Sequence, residues 1–130
     1  MSGNKVLLDT NIVLYLLGSN EVVQSLSGKL VAVSEISEIE LLSYPKISIA
    51  EEQVIIKFLG LVRVIPMSPE IRQKTIEIRR KYHFRIPDSI IVATAWEYGV
   101  TLVTNDLALH RVTEIEVIGL EDLITKSKDT

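Results

Sequence analysis

Four carboxylates in this chain fall at the edges of structural elements rather than in the middle of polar faces: Asp9, Glu40, Asp88 and Asp106. If they converge, repulsion between them and burial both oppose ionisation, so the cluster needs a cation or shared protons. The chain has no cysteine, and only His83 and His110 offer nitrogen. An all-oxygen donor set suits Mg²⁺ or Mn²⁺ better than Zn²⁺. Such a cation orients and deprotonates water and stabilises the departing oxygen of a phosphodiester. Each acid also has an ordinary role open to it. Asp9 suits the N-cap of a following helix, and Asp88 gains from a helix dipole. Glu40 suits a solvated helix face, and Asp106 suits a turn.

The elements that must position these acids follow from the apolar pattern. Val6-Leu7-Leu8 is an unbroken apolar run that stops at Asp9, which predicts a strand buried on both faces, as in a parallel sheet. Open α/β sheets bind ligands at the carboxyl ends of their strands, where Asp9 falls. Further strands are predicted at residues 30–33, 62–66, 101–104 and 115–118. Helices are predicted after Asp9, at residues 21–26 and 34–42, from Ser48, from Ser68-Pro69, from Pro87-Asp88 to Tyr98, and briefly at residues 120–124. Ser34 or Ser37 suits an N-cap, and Ser48 with Glu51 makes a capping-box pattern. Val54, Phe58 and Leu61 keep helical spacing, as do Ile71, Thr75, Ile78 and Tyr82. Strands separated by helices imply a three-layer α/β/α sandwich around a mostly parallel sheet of about five strands. The pattern is continuous, giving one domain over residues 1–125 and a polar tail at 126–130.

Composition narrows the function classes. Apolar residues make up 47% of the chain, enough for one proper core and for an apolar surface that a second copy covers. No segment reaches the roughly 20 apolar residues of a membrane span. With no disulfides and no clean signal segment, the chain reads as soluble and cytoplasmic. A net charge of −3 argues against a broad basic face for duplex DNA. With four acids committed to a metal the remainder carries +1, so a nucleic-acid substrate fits if the basic groups are concentrated. An aromatic fraction of 5% gives no obvious base-stacking platform.

Four segments then resemble a known family in order along nearly the whole chain: Val6-Leu7-Leu8-Asp9-Thr10-Asn11, Ser34-Glu35-Ile36-Ser37-Glu38-Ile39-Glu40-Leu41, Pro87-Asp88-Ser89-Ile90-Ile91-Val92-Ala93-Thr94-Ala95 and Leu102-Val103-Thr104-Asn105-Asp106. They are similar to the signature blocks of PIN domains, most of all the small single-domain kind typified by VapC toxins. The resemblance implies a Rossmann-like sandwich and a Mg²⁺- or Mn²⁺-dependent endoribonuclease acting on an RNA substrate. It also implies a homodimer and, for toxins, a protein antitoxin. By position it makes Asp9, Glu40, Asp88 and Asp106 the catalytic, metal-holding quartet. It makes Asn11 and Thr104 the polar groups that hydrogen-bond the carboxylates and fix their angle. Glu35 and Glu38 are rival acids in the second block. A helix turns about 100° per residue, which sends Glu38 to nearly the opposite side from Glu40.

The chain departs from the family pattern after the fourth acid. Leu107-Ala108-Leu109-His110 stands where many relatives carry a further acid or an aromatic, which leaves open the ligands of a second metal and the choice between one-metal and two-metal chemistry. Asn105 stands where relatives often have Arg, and the segment between the first helix and second strand is short. Arg79-Arg80-Lys81 with Arg85 is the one basic cluster, and Arg85, nearest Asp88, is the candidate phosphate contact. His83 and His110 read as surface residues. Trp96, Tyr15 and Tyr44 read as core residues by default, or as part of a dimer or antitoxin surface. Two other classes compete. One is a PIN-like RNA-binding or scaffold module whose catalysis is lost. The other is a haloacid-dehalogenase-type phosphotransferase, which wants an Asp where Asn11 stands.

Overall fold

Val6, Leu7 and Leu8 are all buried, yet they point to opposite sides of a sheet, as successive strand residues must. Val6 and Leu8 join one apolar cluster and Leu7 the other, which is why this strand has no polar alternation. The computed structural model describes residues 5–19 and 26–128. It contains β1 (Lys5–Leu8), α1 (Thr10–Gly18), β2 (Leu30–Ser34), α2 (Glu35–Leu42) and α3 (Ile49–Leu59). Then follow β3 (Arg63–Ile65), α4 (Pro69–Tyr82), α5 (Ile86–Tyr98), β4 (Thr101–Val103), a 3-10 turn (Leu107–Arg111), β5 (Val117–Ile118) and α6 (Leu120–Lys128).

The five strands form one sheet in the order β3-β2-β1-β4-β5, every neighbouring pair parallel. Helices cover both faces. Ile12, Val13 and Leu16 of α1, Ile55, Phe58 and Leu59 of α3, and Leu123 of α6 pack with Val6 and Leu8. Ile71 and Ile78 of α4 and Ile91, Val92 and Ala95 of α5 pack with Leu7 and Leu102. The expected α/β/α sandwich is the observed one. Burying a Leu or Ile side chain contributes about 1.5–3 kcal/mol, so the two clusters hold the sheet edge in a fixed frame.

The helix starts are set locally. Ser34 rather than Ser37 caps α2, its hydroxyl accepting the Ile36 N–H at 3.2 Å. Ser48 and Glu51 form the reciprocal capping box, with both bonds at 3.0 Å. Gly99 ends α5 at φ 63°, the left-handed conformation that glycine adopts without strain. His83 takes the same conformation to end α4, which gives this exposed residue a structural task.

Several boundaries differ from the sequence pattern. The segment at residues 21–26 lies outside the described residues except for Leu26. β3 and β5 are shorter than predicted, because Val62, Pro66 and Ile115 lie outside the paired registers. α3 buries Ile55, Phe58 and Leu59, not Val54 and Leu61. Its helix ends at Leu59, so Leu61 lies past it, 79% exposed. α6 runs on to Lys128, beyond the short turn predicted at 120–124.

Candidate active site

β1 and β4 are neighbours at the middle of the sheet, and from them the strand order runs outward in opposite directions. The carboxyl ends of such a pair leave a crevice that no crossover helix closes. Asp9 follows β1 directly, and its backbone N–H donates to the Val103 carbonyl at 3.0 Å. Its side chain is buried at 8% exposure. One carboxylate oxygen accepts the Thr10 N–H at 2.8 Å, and the other accepts the Thr104 hydroxyl at 2.6 Å. Thr104, fully buried just after β4, also accepts the Asp106 N–H at 3.1 Å. A single hydroxyl therefore ties the first acid to the loop that carries the fourth.

Glu40 reaches the same crevice from α2. Its carboxylate accepts the Thr10 hydroxyl at 2.7 Å, and Thr10 Oγ1 lies 2.8 Å from the hydroxyl of the wholly buried Ser37. A hydroxyl has one proton to give, so Ser37 donates to Thr10 while Thr10 donates to Glu40. Ser37 and Glu40 sit three residues apart and share a helix face. Asp88 lies in the first turn of α5, half-buried, with the exposed Arg85 guanidinium 3.8 Å from it. Asp106 is exposed and opens the 3-10 turn, accepting the Ala108 N–H at 3.0 Å. One cleft of about 370 Å³ is lined by all four acids with Asn11, Tyr44 and Arg85, and an adjoining lobe by Asp9, Asn11, Leu14, Tyr15, Asn105 and Asp106.

The electrostatics follow from that crowding. Burial pushes the Asp9 carboxyl above its ordinary value, against the pull of the Thr104 and Thr10 hydrogen bonds, and the charges of Glu40 and Asp106 push it further. Burial also raises Asp88; Arg85 opposes the rise, and Asp9, Asp106 and Glu40 reinforce it. Four acids thus face one guanidinium. That imbalance and the all-oxygen donor set fit a hard divalent cation. Among the described residues no three acids or histidines are gathered tightly enough to enclose an ion unaided. Mg²⁺ does not require this, since it commonly binds through one or two carboxylates and keeps several waters.

The sequence-predicted residues sort clearly. Asp9, Glu40, Asp88 and Asp106 share the cleft, Thr104 bonds Asp9, and Arg85 stands at the rim. Asn11 lines the cleft but makes no hydrogen bond to the four acids; Thr10, missed by the sequence reading, supports Asp9 and Glu40. Its signal was its place between Asp9 and Asn11, and that of Ser37 was its spacing from Glu40. Glu35 turns away to accept the Met67 N–H at 3.1 Å, and neither it nor Glu38 lines the cleft. Arg79 and Arg80 are exposed, and Lys81 pairs with Glu114 at 2.9 Å. His110 is exposed, and its Nε2–H donates to the Thr104 carbonyl at 2.7 Å, since a carbonyl only accepts. Asn105 accepts the Leu120 N–H at 2.9 Å, tying the loop to the start of α6. Tyr15 and Tyr44 are not core residues: both are more than half exposed, because α1 and the turn after α2 present them to the cleft. Trp96 does pack on the core.

Residues 6–115 match the family profile of the PIN domain. The chain belongs to the PIN domain family, a class of nuclease domains. Among solved structures it is similar to a chain of a toxin–antitoxin complex from Klebsiella pneumoniae, with 28% identity and a TM-score of 0.71 over 85% of this chain and 98% of that one. It shares its fold with a chain of DNA-bound VapBC from Salmonella typhimurium, at 21% identity and a TM-score of 0.78 over 89% of this chain and 98% of that one. A chain of VapBC2 from Rickettsia felis, bound to a promoter DNA fragment, matches at 21% identity and a TM-score of 0.76, covering 88% of this chain and 98% of that one. No curated sequence matches the chain. Among the described residues no helix is long and apolar enough to cross a membrane.

Proposed function

We propose that this PIN domain is a Mg²⁺- or Mn²⁺-dependent endoribonuclease that hydrolyses RNA phosphodiesters with water, and that it is the toxin of a toxin–antitoxin pair. The observation that carries the reading is the meeting of Asp9, Glu40, Asp88 and Asp106 on one cleft at the carboxyl edge of the sheet. These four residues would hold the cation, which supplies a polarised water and neutralises charge on the departing oxygen. Thr104 fixes the angle of Asp9, and Thr10 with Ser37 fixes that of Glu40. Arg85, at the rim, meets a substrate phosphate. Support for an antitoxin and a cytoplasmic setting comes from the toxin–antitoxin complexes that share the fold, and support for RNA from the family resemblance. Exposed apolar residues such as Leu30, Ile49 and Leu61 accord with a homodimer.

The direct test incubates purified protein with structured RNA and, in parallel, DNA of the same sequence, with Mg²⁺, Mn²⁺ or EDTA. RNA cleavage that needs the metal and is lost in Asp9→Asn is expected. Cleavage by Asp9→Asn at the wild-type rate overturns the assignment. A second reading, a PIN module that binds RNA without cutting it, draws on the absence of a tight three-ligand group among the described residues. Calorimetry showing no Mn²⁺ uptake at millimolar concentration would favour it.

A further inference from the structure

Tyr15 and Tyr44 stand apart from the other aromatic residues. Phe58 is in the core, Tyr82 stacks on Phe84, Arg63 lies over Tyr98, and Lys74 lies by Trp96. Among the described aromatic rings outside the core only Tyr15 and Tyr44 have neither a ring contact nor a hydroxyl partner, and they are 55% and 59% exposed. Each lines one lobe of the acidic cleft, and the two lobes share Asp9, Asn11, Leu14 and Asp106. A strand laid across the shared acids therefore meets one tyrosine ring in each lobe.

We propose that Tyr15 and Tyr44 are base-stacking contacts that grip unpaired nucleotides to either side of the phosphate held at the acids; this rests on the nuclease reading above. The charge balance of the metal-free cleft favours such contacts. The chain carries −3 overall, and among the described residues that line the cleft Arg85 is the one cation beside four acids. Without the cation, phosphate pairing therefore supplies little of the affinity. Aromatic stacking attracts a base without regard to net charge and tolerates every base identity. It also demands that the base leave its duplex partner, so the rings select unpaired segments.

The test is fluorescence anisotropy with a labelled single-stranded RNA, the same RNA made abasic at its central positions, and its duplex. Binding is measured in EDTA and again with Ca²⁺, for wild type and for the Ala and Phe variants at both tyrosines. Each Tyr→Ala change is expected to weaken single-strand binding about 5- to 100-fold, and each Tyr→Phe to leave it nearly unchanged. The abasic and duplex RNAs should bind weakly to every form. Ala variants that bind the single strand as wild type does overturn the proposal. So does an equal loss on the abasic RNA. If those variants instead lose self-association in sedimentation while binding RNA normally, the rings belong to an interface between copies, which also overturns it. Ring-dependent binding without any cleavage in Mg²⁺ or Mn²⁺ sinks the nuclease reading alone. Cleavage at wild-type KM by both Ala variants sinks the stacking proposal alone.

Discussion

Replacing Thr104 by Val removes one hydroxyl from the centre of the site while keeping the shape of a fully buried side chain. That hydroxyl donates to Asp9 at 2.6 Å and accepts the Asp106 N–H at 3.1 Å. A hydrogen bond to a charged group contributes about 1.5–3 kcal/mol, and one between neutral groups about 0.5–1.5. The hydroxyl thus favours the ionised over the protonated Asp9 by about 1–1.5 kcal/mol. Thr104→Val should therefore move the Asp9 titration further up from a position already above the ordinary carboxylate value. The sign for stability follows. A carboxyl whose pKa is higher folded than unfolded binds its proton more tightly in the native state, so stability falls as pH rises through that interval. The variant widens the interval. Its loss should be about 2 kcal/mol at neutral pH and nearer 1 kcal/mol once Asp9 is protonated. Carbon-detected NMR titration of Asp9 in metal-free protein, with urea unfolding at acid and neutral pH, measures both. Thr104→Ser, which keeps the hydroxyl, is the control. An unmoved titration with equal loss at both pH values would refute the role given to this bond.

Asp9→Asn should raise the thermal midpoint of the metal-free protein at neutral pH and lose that advantage at low pH, because the raised Asp9 pKa makes its ionisation oppose folding; a lower midpoint in EDTA would contradict this. Thr10→Val removes the donor to Glu40 and should weaken Mn²⁺ binding by about 10- to 100-fold, with Thr10→Ser close to wild type by calorimetry. Ser48→Ala breaks the capping box of α3 at a residue that lines neither lobe of the cleft, and should cost about 0.5–2 kcal/mol in urea unfolding with RNA cleavage unchanged.

Much of this molecule was legible in the order of its residues. Val6, Leu7 and Leu8 announced a strand buried on both faces, Ser48 with Glu51 announced a helix start, and the four blocks around Asp9, Glu40, Asp88 and Asp106 announced the cleft. Periodicity and capping are local, so neighbours along the chain suffice to specify them. What the chain order left open was decided by distance in space. Thr104 bonds Asp9 across 95 residues, and Thr10 bonds Glu40 across 30. Which polar neighbour holds each acid depends on how β1, β4 and α2 are brought together, and that is why Thr10 displaced Asn11 as the supporting donor. The exposure of Tyr15 and Tyr44 was settled in the same way. An aromatic residue reads as core from composition, and only the packed sheet shows that no layer covers these two rings beside the acids.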